Sequence, residues 1–264
     1  MNILTGIIRI LTNISTVVLA VLIIVIFFVV SIFMFISEMF SRVVGYEARC
    51  LQRILIKKIL SLVFSILCRL NRIKLKVLGN VPQGNCVIVS NHQSMLDMFL
   101  FPCVLPNARM IAKREILYIP GVFMMQYAVR WIFIAREQGV RALKGMFREV
   151  DEEIKLNIES QIVIFSQGTR TAVSEEKRYM KGGYMMLYKK FKLPIVPAVL
   201  HTGHCVMNDM GVLSRFMPGT VILEFLPEIT YDPENNLDAV SNEVASMITS
   251  REKQIYAALL KGDI

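Results

Sequence analysis

A histidine and an aspartate five positions apart are the residues of this sequence best suited to acid–base chemistry. His92 and Asp97 follow Cys86–Val89, a short apolar run that predicts a buried strand. Five residues of helix turn through about 500°, so His92 can contact Asp97 only by preceding a helix and folding back over its first turn. Asn91 and Ser94 are candidate caps for that helix. The contact would orient the imidazole as a general base, whereas the plainer interpretation is a capped helix with a histidine nearby.

Two arginines follow other predicted strands. Arg136 comes after the apolar run Trp131–Ile134, and the run Gln161–Phe165 leads into Gly168-Thr169-Arg170. A turn of small residues lets backbone amides approach an anion, and a guanidinium beside it adds positive charge. Taken singly, each arginine also suits an ordinary solvated surface. Together, at the carboxyl ends of strands in a layered α/β domain, a base and two arginines predict a pocket for a hydroxyl-bearing phosphorylated substrate.

Short apolar runs alternate with longer mixed segments from about residue 73. This alternation predicts an α/β fold with a layered, mixed or mostly parallel sheet flanked by helices. Period-two alternation in Ile73–Val77 is typical of an edge strand, and two prolines in Leu193–Pro197 predict an edge or a bend there too. Further strands are predicted at Cys86–Val89, Arg109–Ala112, Trp131–Ile134, Gln161–Phe165, Ile195–Leu200 and Val221–Phe225, and helices at Met95–Leu105, Val122–Val129, Gly139–Leu156, Tyr179–Phe191 and Asn236–Leu260.

The composition predicts contact with a membrane. Hydrophobic residues make up 54% of the chain and the mean hydropathy is +0.51, above the range of ordinary soluble domains. The uncharged run Thr16–Ile36 would extend roughly 31 Å as a helix, enough to cross the hydrocarbon core of a bilayer. Only Arg9 precedes this run, whereas many basic residues follow it. That bias predicts a membrane protein whose catalytic part lies on the cytoplasmic face, at the inner membrane in a bacterium.

A second segment, Leu51–Leu70, predicts an amphipathic helix on the membrane surface. Its proposed apolar face comprises Leu51, Ile54, Leu55, Leu62 and Ile66. Alternatively, the two segments form a helical hairpin that dips into one leaflet, and the sequence does not separate these cases. We therefore predict two parts, membrane-anchoring helices at 1–72 and an α/β domain at 73–264.

The net charge indicates which binding partners to expect, and the cysteines indicate the redox compartment. The 30 basic and 21 acidic residues give a net charge of +9, which favours lipid headgroups, phosphorylated substrates, coenzyme A or an acidic carrier protein. No nucleic-acid recognition motif is present, so nucleic acid is not predicted as a partner. The 5 cysteines contain no C-x-x-C pair and are expected to be buried thiols of a reducing compartment. His201-x-x-His204 lacks a second ligand cluster, so no metal site is predicted.

Four of these stretches occur in an order that resembles the glycerolipid acyltransferase family typified by 1-acylglycerol-3-phosphate (lysophosphatidic acid) acyltransferases. Its N-H-x-x-x-x-D motif matches Asn91, His92 and Asp97, and its F-P-E-G-T-R motif matches Phe165, Gly168, Thr169 and Arg170. Arg136 fits the arginine of an I-D-R-like motif, and Leu193–Pro197 fits a V-P-type proline motif. The resemblance runs from about Leu75 to Glu228.

The resemblance implies a reaction that these residues can support. Asp97 would hold His92, and His92 would take the proton from a glycerol hydroxyl that attacks an acyl thioester directly, with no acyl-enzyme intermediate. Arg136 and the turn Gly168-Thr169-Arg170 would bind the substrate phosphate. The implied substrates are lysophosphatidic acid and acyl-CoA or acyl carrier protein, and the product is phosphatidic acid. No cofactor is implied beyond the acyl donor.

The sequence departs from the family pattern at two positions. Ala135 stands where the family often has Asp, and Ser166-Gln167 stands where it has Pro-Glu. Both changes remove a negative charge near the proposed phosphate site, so Gln167, together with Lys181, is a candidate modulator of acceptor binding. The alternatives are an acyltransferase for another acceptor, such as glycerol-3-phosphate or another lyso-lipid, and a catalytically silent lipid-binding protein on the same fold.

Overall fold

A computed structural model describes residues 71–94, 96–105, 107–118, 131–135, 139–155, 159–170, 179–207 and 215–261, with scattered positions between 25 and 70. The chain forms two compact units, one of residues 1–59, 115–130 and 208–215 and one of the remaining residues. The second unit carries the sheet and all the candidate site residues that the structure describes.

Nine strands and four helices are assigned within the described part of the chain, plus a 3-10 helix at Arg114–Tyr118. The strands are β1 (Ile73–Leu78), β2 (Cys86–Ser90), β3 (Ala108–Lys113), β4 (Ile132–Ile134), β5 (Gln161–Phe165), β6 (Ile195–His201), β7 (Val206–Met207), β8 (Arg215–Phe216) and β9 (Gly219–Phe225). The helices are α1 (Asp97–Val104), α2 (Val140–Lys155), α3 (Gly182–Phe191) and α4 (Leu237–Lys261). Each predicted element that falls on described residues is present, with small shifts at its ends. The predicted helix Val122–Val129 lies outside the described residues.

Seven strands form one mixed, mostly parallel sheet in the order β1-β9-β6-β2-β5-β3-β4. The prediction of an α/β fold with such a sheet is confirmed, as is the position of β1 at an edge. The strands from β6 to β4 run parallel to one another, and β9 runs antiparallel to β6. The carboxyl ends of β2 and β5 therefore lie side by side, with Ser90 opposite Phe165. Residues that follow these two strands meet at one edge of the sheet.

Both faces of the sheet are covered, because successive residues of its central strands point to opposite sides. Cys86 and Ile88 of β2 belong to a core shared with α1, while Val87 and Val89 belong to a core shared with α2, α3 and α4. All five residues of β2 are buried, as its continuous apolar sequence predicts. The result is a three-layer arrangement that holds the strand ends rigidly.

The prolines of Leu193–Pro197 predicted an edge strand or a bend rather than a central strand, and the edge position is wrong. β6 lies inside the sheet, between β9 and β2, and all its residues are buried. Pro197 is tolerated because its nitrogen, which has no hydrogen to donate, points away from β2. In a strand the nitrogen and the carbonyl of one residue point to the same side, and here that side faces β9. On that side the Ile195–Ile229 bridge ends before the ladder with β9 begins at Ala198, and the Pro197 carbonyl accepts from the Leu226 N–H at 2.9 Å. The missing donor falls in this gap.

The apolar run Thr16–Ile36 lies largely outside the described residues. Its described members, from Val25 to Ile36, are helical, and large apolar side chains among them are exposed, for example Phe33 at 56%. In the described part of the chain no helix is both long enough and apolar enough to cross a membrane. Described residues between 58 and 70 are also helical, with Phe64 and Cys68 buried and Leu62 and Ile66 exposed.

Candidate active site

His92 and Asp97 are in direct contact, and His92 precedes the helix, as their spacing requires for such a contact. His92 follows β2, and Asp97 is the first residue of α1. The chain between them folds back so that His92 Nδ1 lies 2.8 Å from Asp97 Oδ2. The aspartate side chain is fully buried, whereas the His92 side chain is 15% exposed. A carboxylate at this distance accepts a hydrogen bond from Nδ1–H, which leaves Nε2 as the basic nitrogen of the ring.

Asp97 is itself held by four further donors. Its Oδ2 accepts the backbone N–H groups of Gln93 at 2.7 Å and Ser94 at 3.0 Å. Its Oδ1 accepts the hydroxyls of Ser94 at 3.0 Å and Thr202 at 2.6 Å. Because all four partners donate, Asp97 acts only as an acceptor and its side chain is fixed in position. Ser94 therefore supports the aspartate, and through its Oγ it also accepts the N–H of Leu96 at 3.2 Å.

Two residues of the segment that matches the F-P-E-G-T-R motif hold His92 from the neighbouring strand. The imidazole stacks on the Phe165 ring with centroids 4.2 Å apart and 12° between the planes. The backbone N–H of His92 donates to Gln167 Oε1 at 2.9 Å. Gln167 is buried, and its side chain also interacts with the hydroxyl of Tyr179. The segments that match the N-H-x-x-x-x-D and F-P-E-G-T-R motifs thus form one cluster, because β2 and β5 are adjacent and in parallel register.

Asn91 is not a helix cap, so that prediction is wrong. Its side chain pairs with the backbone of β6, accepting the Leu200 N–H at 2.7 Å and donating to the Leu200 carbonyl at 2.8 Å. Gln93 behaves similarly, since its Oε1 accepts the N–H groups of Thr202 at 2.8 Å and Gly203 at 3.0 Å. These amides fasten the segment around His92 to the end of the next strand.

Sequence reasoning missed three contributors to this cluster. The Gln93 N–H and the Thr202 hydroxyl donate to Asp97. Glu252 of α4 accepts hydrogen bonds from the side chains of Asn91 at 3.0 Å and Gln93 at 2.6 Å. Thr202 and Glu252 are separated from the histidine motif by more than a hundred residues. No local pattern signals such contacts, although a carboxylate on the apolar face of a helix is an unusual residue there.

The predicted anion-binding turn follows β5 at the same edge of the sheet. Gly168 has a φ of +69°, a conformation that glycine adopts without strain, and its N–H donates to the Phe165 carbonyl at 3.1 Å. Thr169 and Arg170 are exposed. Arg136, predicted to share the anion, lies outside the described residues; Ala135 before it is buried. Lys181 is exposed and forms an ion pair with Asp238.

The metal and cysteine predictions concern other side chains. The His201 and His204 rings lie with their centroids 4.7 Å apart and are tilted by 32°, and no cluster of three or more metal-ligating side chains exists among the described residues. Burial lowers the pKa of His204. The described cysteines are free thiols, and burial raises the pKa of Cys86 to about 12 and of Cys205 to about 11. These thiols are therefore protonated and unreactive at neutral pH.

Geometry limits the chemistry of the cluster. An imidazole whose Nδ1 is held by a buried carboxylate can take a proton through Nε2 from a hydroxyl. Ser94 is buried and bonded to Asp97 and Thr202, so it is not an exposed nucleophile. An exposed cationic turn on the adjacent strand end suits a negatively charged part of the same substrate. Base-catalysed attack by a substrate hydroxyl is the chemistry that these groups support.

The chemistry that the site supports agrees with the comparison with known families. Residues 72–201 match the family model described as Acyltransferase. This segment contains the described residues of the histidine motif and the Gly168-Thr169-Arg170 turn. Residues 72–201 belong to this Acyltransferase family.

Curated relatives and a solved structure are similar to this chain. A 1-acyl-sn-glycerol-3-phosphate acyltransferase from Pseudomonas aeruginosa is 30% identical over 132 residues, 50% of this chain and 50% of that protein. The human 1-acyl-sn-glycerol-3-phosphate acyltransferase beta is 32% identical over 145 residues, 54% of this chain and 50% of its own length. The chain thus spans about half the length of these relatives. The crystal structure of the 1-acyl-sn-glycerophosphate (LPA) acyltransferase PlsC from Thermotoga maritima superposes with a TM-score of 0.73 at 23% identity, covering 94% of this chain and 98% of that one, and shows a shared fold.

Proposed function

We propose that the protein is a 1-acylglycerol-3-phosphate O-acyltransferase. It would move a fatty acyl group from acyl-CoA or acyl carrier protein to the sn-2 hydroxyl of lysophosphatidic acid, giving phosphatidic acid. The observation that carries the proposal is the contact of 2.8 Å between His92 Nδ1 and a fully buried Asp97. The names of the curated relatives point to the same reaction.

In the proposed mechanism His92 Nε2 removes the proton from the acceptor hydroxyl. The hydroxyl oxygen forms a bond to the thioester carbonyl carbon, and the resulting oxyanion collapses with cleavage of the C–S bond. The thiolate leaves and takes the proton back from the imidazolium, so the enzyme is regenerated without a covalent intermediate. Asp97 holds the ring and stabilises its positive charge, and this type of base catalysis contributes on the order of 10²–10⁴-fold.

The acceptor phosphate is assigned to Arg136 and to the Gly168-Thr169-Arg170 turn. Support comes from the exposure of Thr169 and Arg170 and from the position of the turn beside the strand that precedes His92. A planar guanidinium can bind two phosphate oxygens at once, which suits a phosphomonoester better than a neutral headgroup.

Gln167 is compatible with activity, which weakens the alternative of a catalytically silent lipid-binding protein. Its amide oxygen accepts the His92 N–H at 2.9 Å, a contact for which an amide serves as well as a carboxylate. The hypothesis that Gln167 changes acceptor affinity predicts an altered affinity in the Gln167→Glu variant. Because the side chain is buried and bonded to protein groups, we expect a larger effect on His92 than on acceptor binding.

We also propose that residues 1–72 anchor the α/β part, 73–264, to the membrane at its cytoplasmic face. The uncharged run Thr16–Ile36 supports this, as do exposed apolar side chains such as Phe33 at 56% and Leu62 at 60%. An anchor of this kind would keep the enzyme where its lipid substrate and product reside.

The test is acyl transfer by the purified protein in lipid nanodiscs. Labelled acyl-CoA and acyl carrier protein are offered with lysophosphatidic acid, glycerol-3-phosphate and lyso-lipids of other headgroups, beside a His92→Ala control. We expect transfer to lysophosphatidic acid that His92→Ala abolishes. Preferential transfer to another acceptor would replace the proposed substrate. Equally low transfer by both proteins to every acceptor would support the lipid-binding alternative.

A further inference from the structure

Glu252 is a buried carboxyl group on a helix face whose other buried residues are mostly apolar. It is 1% exposed and lies on α4, on the same face as Val244, Ile248 and Ile255, all buried in the core. Burying a charge costs several kcal/mol unless hydrogen bonds compensate for it, so a residue needed only for helix docking would be apolar here. The side chain at position 252 therefore calls for an explanation beyond packing.

The hydrogen bonds of Glu252 lead to the two residues that flank His92. Its Oε1 accepts the side-chain amide of Asn91 at 3.0 Å and that of Gln93 at 2.6 Å. The oxygen atoms of the same two amides bind the end of β6 at Leu200 and Thr202. Each amide is thus held at both its oxygen and its nitrogen, and the backbone on either side of His92 is fixed.

A neutral side chain at position 167 matches this arrangement. Gln167 accepts the backbone N–H of His92, and its side chain interacts with the Tyr179 hydroxyl. Tyr179 also accepts a hydrogen bond from Thr249, one turn before Glu252 on α4, at 3.2 Å. Burial raises the pKa of Tyr179, and the negative charge of Glu252 raises it further. A carboxylate at position 167 would add a second buried negative charge to this neighbourhood.

We propose that Glu252 is a positioning residue for the acyl transfer: from the C-terminal helix it orients Asn91 and Gln93, and so His92, and its charge is matched by the neutral Gln167. This inference rests on the proposed function for its kinetic consequence, although the structural part of it is independent of the substrate.

The first test compares Glu252→Ala with Ser241→Ala in the full-length enzyme. Ser241 is a matched control because it is also buried on α4, where it hydrogen-bonds the Tyr184 hydroxyl at 2.8 Å, away from His92. Misplacing a catalytic group by about 1 Å can cost on the order of 100-fold in rate, so we expect kcat of Glu252→Ala to fall by roughly 10-fold or more. KM for both substrates should change little, and Ser241→Ala should keep wild-type kcat even if its Tm falls. A kcat loss shared by the two variants in proportion to Tm would overturn the proposal.

The second test is a double-mutant cycle between positions 167 and 252. Gln167→Glu alone should lower kcat, because it brings a second carboxylate to the Glu252 neighbourhood. Glu252→Gln keeps an acceptor oxygen and should be milder than Glu252→Ala. Combining Gln167→Glu with Glu252→Gln restores one negative charge and should recover part of the lost kcat. Strictly additive losses would show that the two positions act independently and would contradict the matching of their charges.

A spectroscopic measurement separates the inference from the proposed function. The chain has only 3 histidines, so ¹⁵N-histidine labelling gives a simple spectrum in which a His92→Gln variant assigns the site resonances. We expect the Nδ1–H signal of His92, held by Asp97, to broaden or shift in Glu252→Ala and to stay unchanged in Ser241→Ala. An unchanged His92 signal in Glu252→Ala would refute the positioning role, whether or not the enzyme acylates lysophosphatidic acid. If the signal changes in Glu252→Ala but the wild-type protein acylates no acceptor, only the proposed function is refuted.

Discussion

The two halves of the candidate site differ in how the protein holds them. On one side, His92 is fixed by Asp97, by the Phe165 ring and through its backbone by Gln167, and Asp97 is fully buried. On the other side, Thr169 and Arg170 are exposed and follow a glycine turn. The base half is therefore built into the core of the domain, while the cationic half lies at its surface.

This difference fits what the proposed reaction requires of each half. A general base is effective only when its ring is oriented before the substrate arrives, and buried hydrogen bonds supply that orientation. A phosphate-binding group has to admit and release a charged ligand, so its charge must stay accessible to water. Substitutions in the base half should consequently lower both activity and stability, and those in the cationic half should lower activity alone.

The largest effect is expected from Asp97→Asn. The substitution replaces one carboxylate oxygen with an NH2 group, which donates. This new donor would face groups that are themselves donors, such as the N–H groups of Gln93 and Ser94. We expect activity to fall on the order of 10²–10⁴-fold. The free energy of unfolding should fall by about 3 kcal/mol, because a buried network is broken.

His92→Ala is the matched comparison for this variant. It should lose as much activity as Asp97→Asn, but its free energy of unfolding should fall less. It removes one hydrogen bond to Asp97 and a stacking contact with Phe165 worth about 1 kcal/mol, and it leaves the other donors to Asp97 in place. Acyl-transfer assays and thermal unfolding of the two variants measure the separation. If both unfold at the same temperature, the base half is not the buried structural network described here.

Arg170→Ala tests the cationic half. A hydrogen bond to a charged group contributes about 1.5–3 kcal/mol, so KM for a phosphorylated acceptor should rise by roughly 10-fold or more. Tm should stay at the wild-type value, because Arg170 is exposed. Arg170→Lys should recover part of the affinity, since it retains charge but not the planar fork.

The control for Arg170→Ala is Arg148→Ala. Arg148 is also an exposed arginine, but it lies in the middle of α2. Its removal should leave KM unchanged, so an equal rise in KM for both variants would indicate a general effect of surface charge on substrate attraction.

Local sequence patterns were sufficient for most of the fold. The apolar run of β2 and the alternation in β1 predict a buried strand and an edge strand, because burial and side-chain period are properties of the strand itself. Pro197 was assigned wrongly because the direction of a missing hydrogen bond depends on the neighbouring strand. Only the change from the Ile229 bridge to the β9 ladder shows why the proline fits there.

The same distinction applies to the site. The His92–Asp97 contact was predictable, since only a few residues separate the two and few geometries let them touch. Asn91 was assigned wrongly, and Glu252 was not predicted, because their contacts join segments as many as 161 residues apart. Residue type alone suggests a cap for an asparagine and a solvated surface for a glutamate.

Gly168→Ala changes the turn that links β5 of the base half to Thr169 and Arg170 of the cationic half. Gly168 has a φ of +69°, where a side chain costs about 1–2 kcal/mol, so we expect a lower Tm and a several-fold loss of activity. Gly145→Ala is the matched substitution, because Gly145 lies within α2 and an added Cβ meets nothing within 4 Å. That variant should gain up to about 1 kcal/mol in stability and keep full activity. Equal behaviour of the two variants would mean that the turn after β5 does not need its left-handed glycine.

The smallest effect is expected from Lys181→Ala, which decides whether this lysine belongs to the cationic half. Lys181 pairs with Asp238, and both side chains are more than half exposed, at 57% and 70%. Ion pairs of this kind contribute about 0–1 kcal/mol, so Tm should change by a degree or two at most. KM for lysophosphatidic acid should stay within about twofold of wild type, since Asp238 offsets the charge of the lysine locally. A KM increase as large as that of Arg170→Ala would extend the phosphate-binding half to α3 and confirm Lys181 as a modulator of acceptor binding.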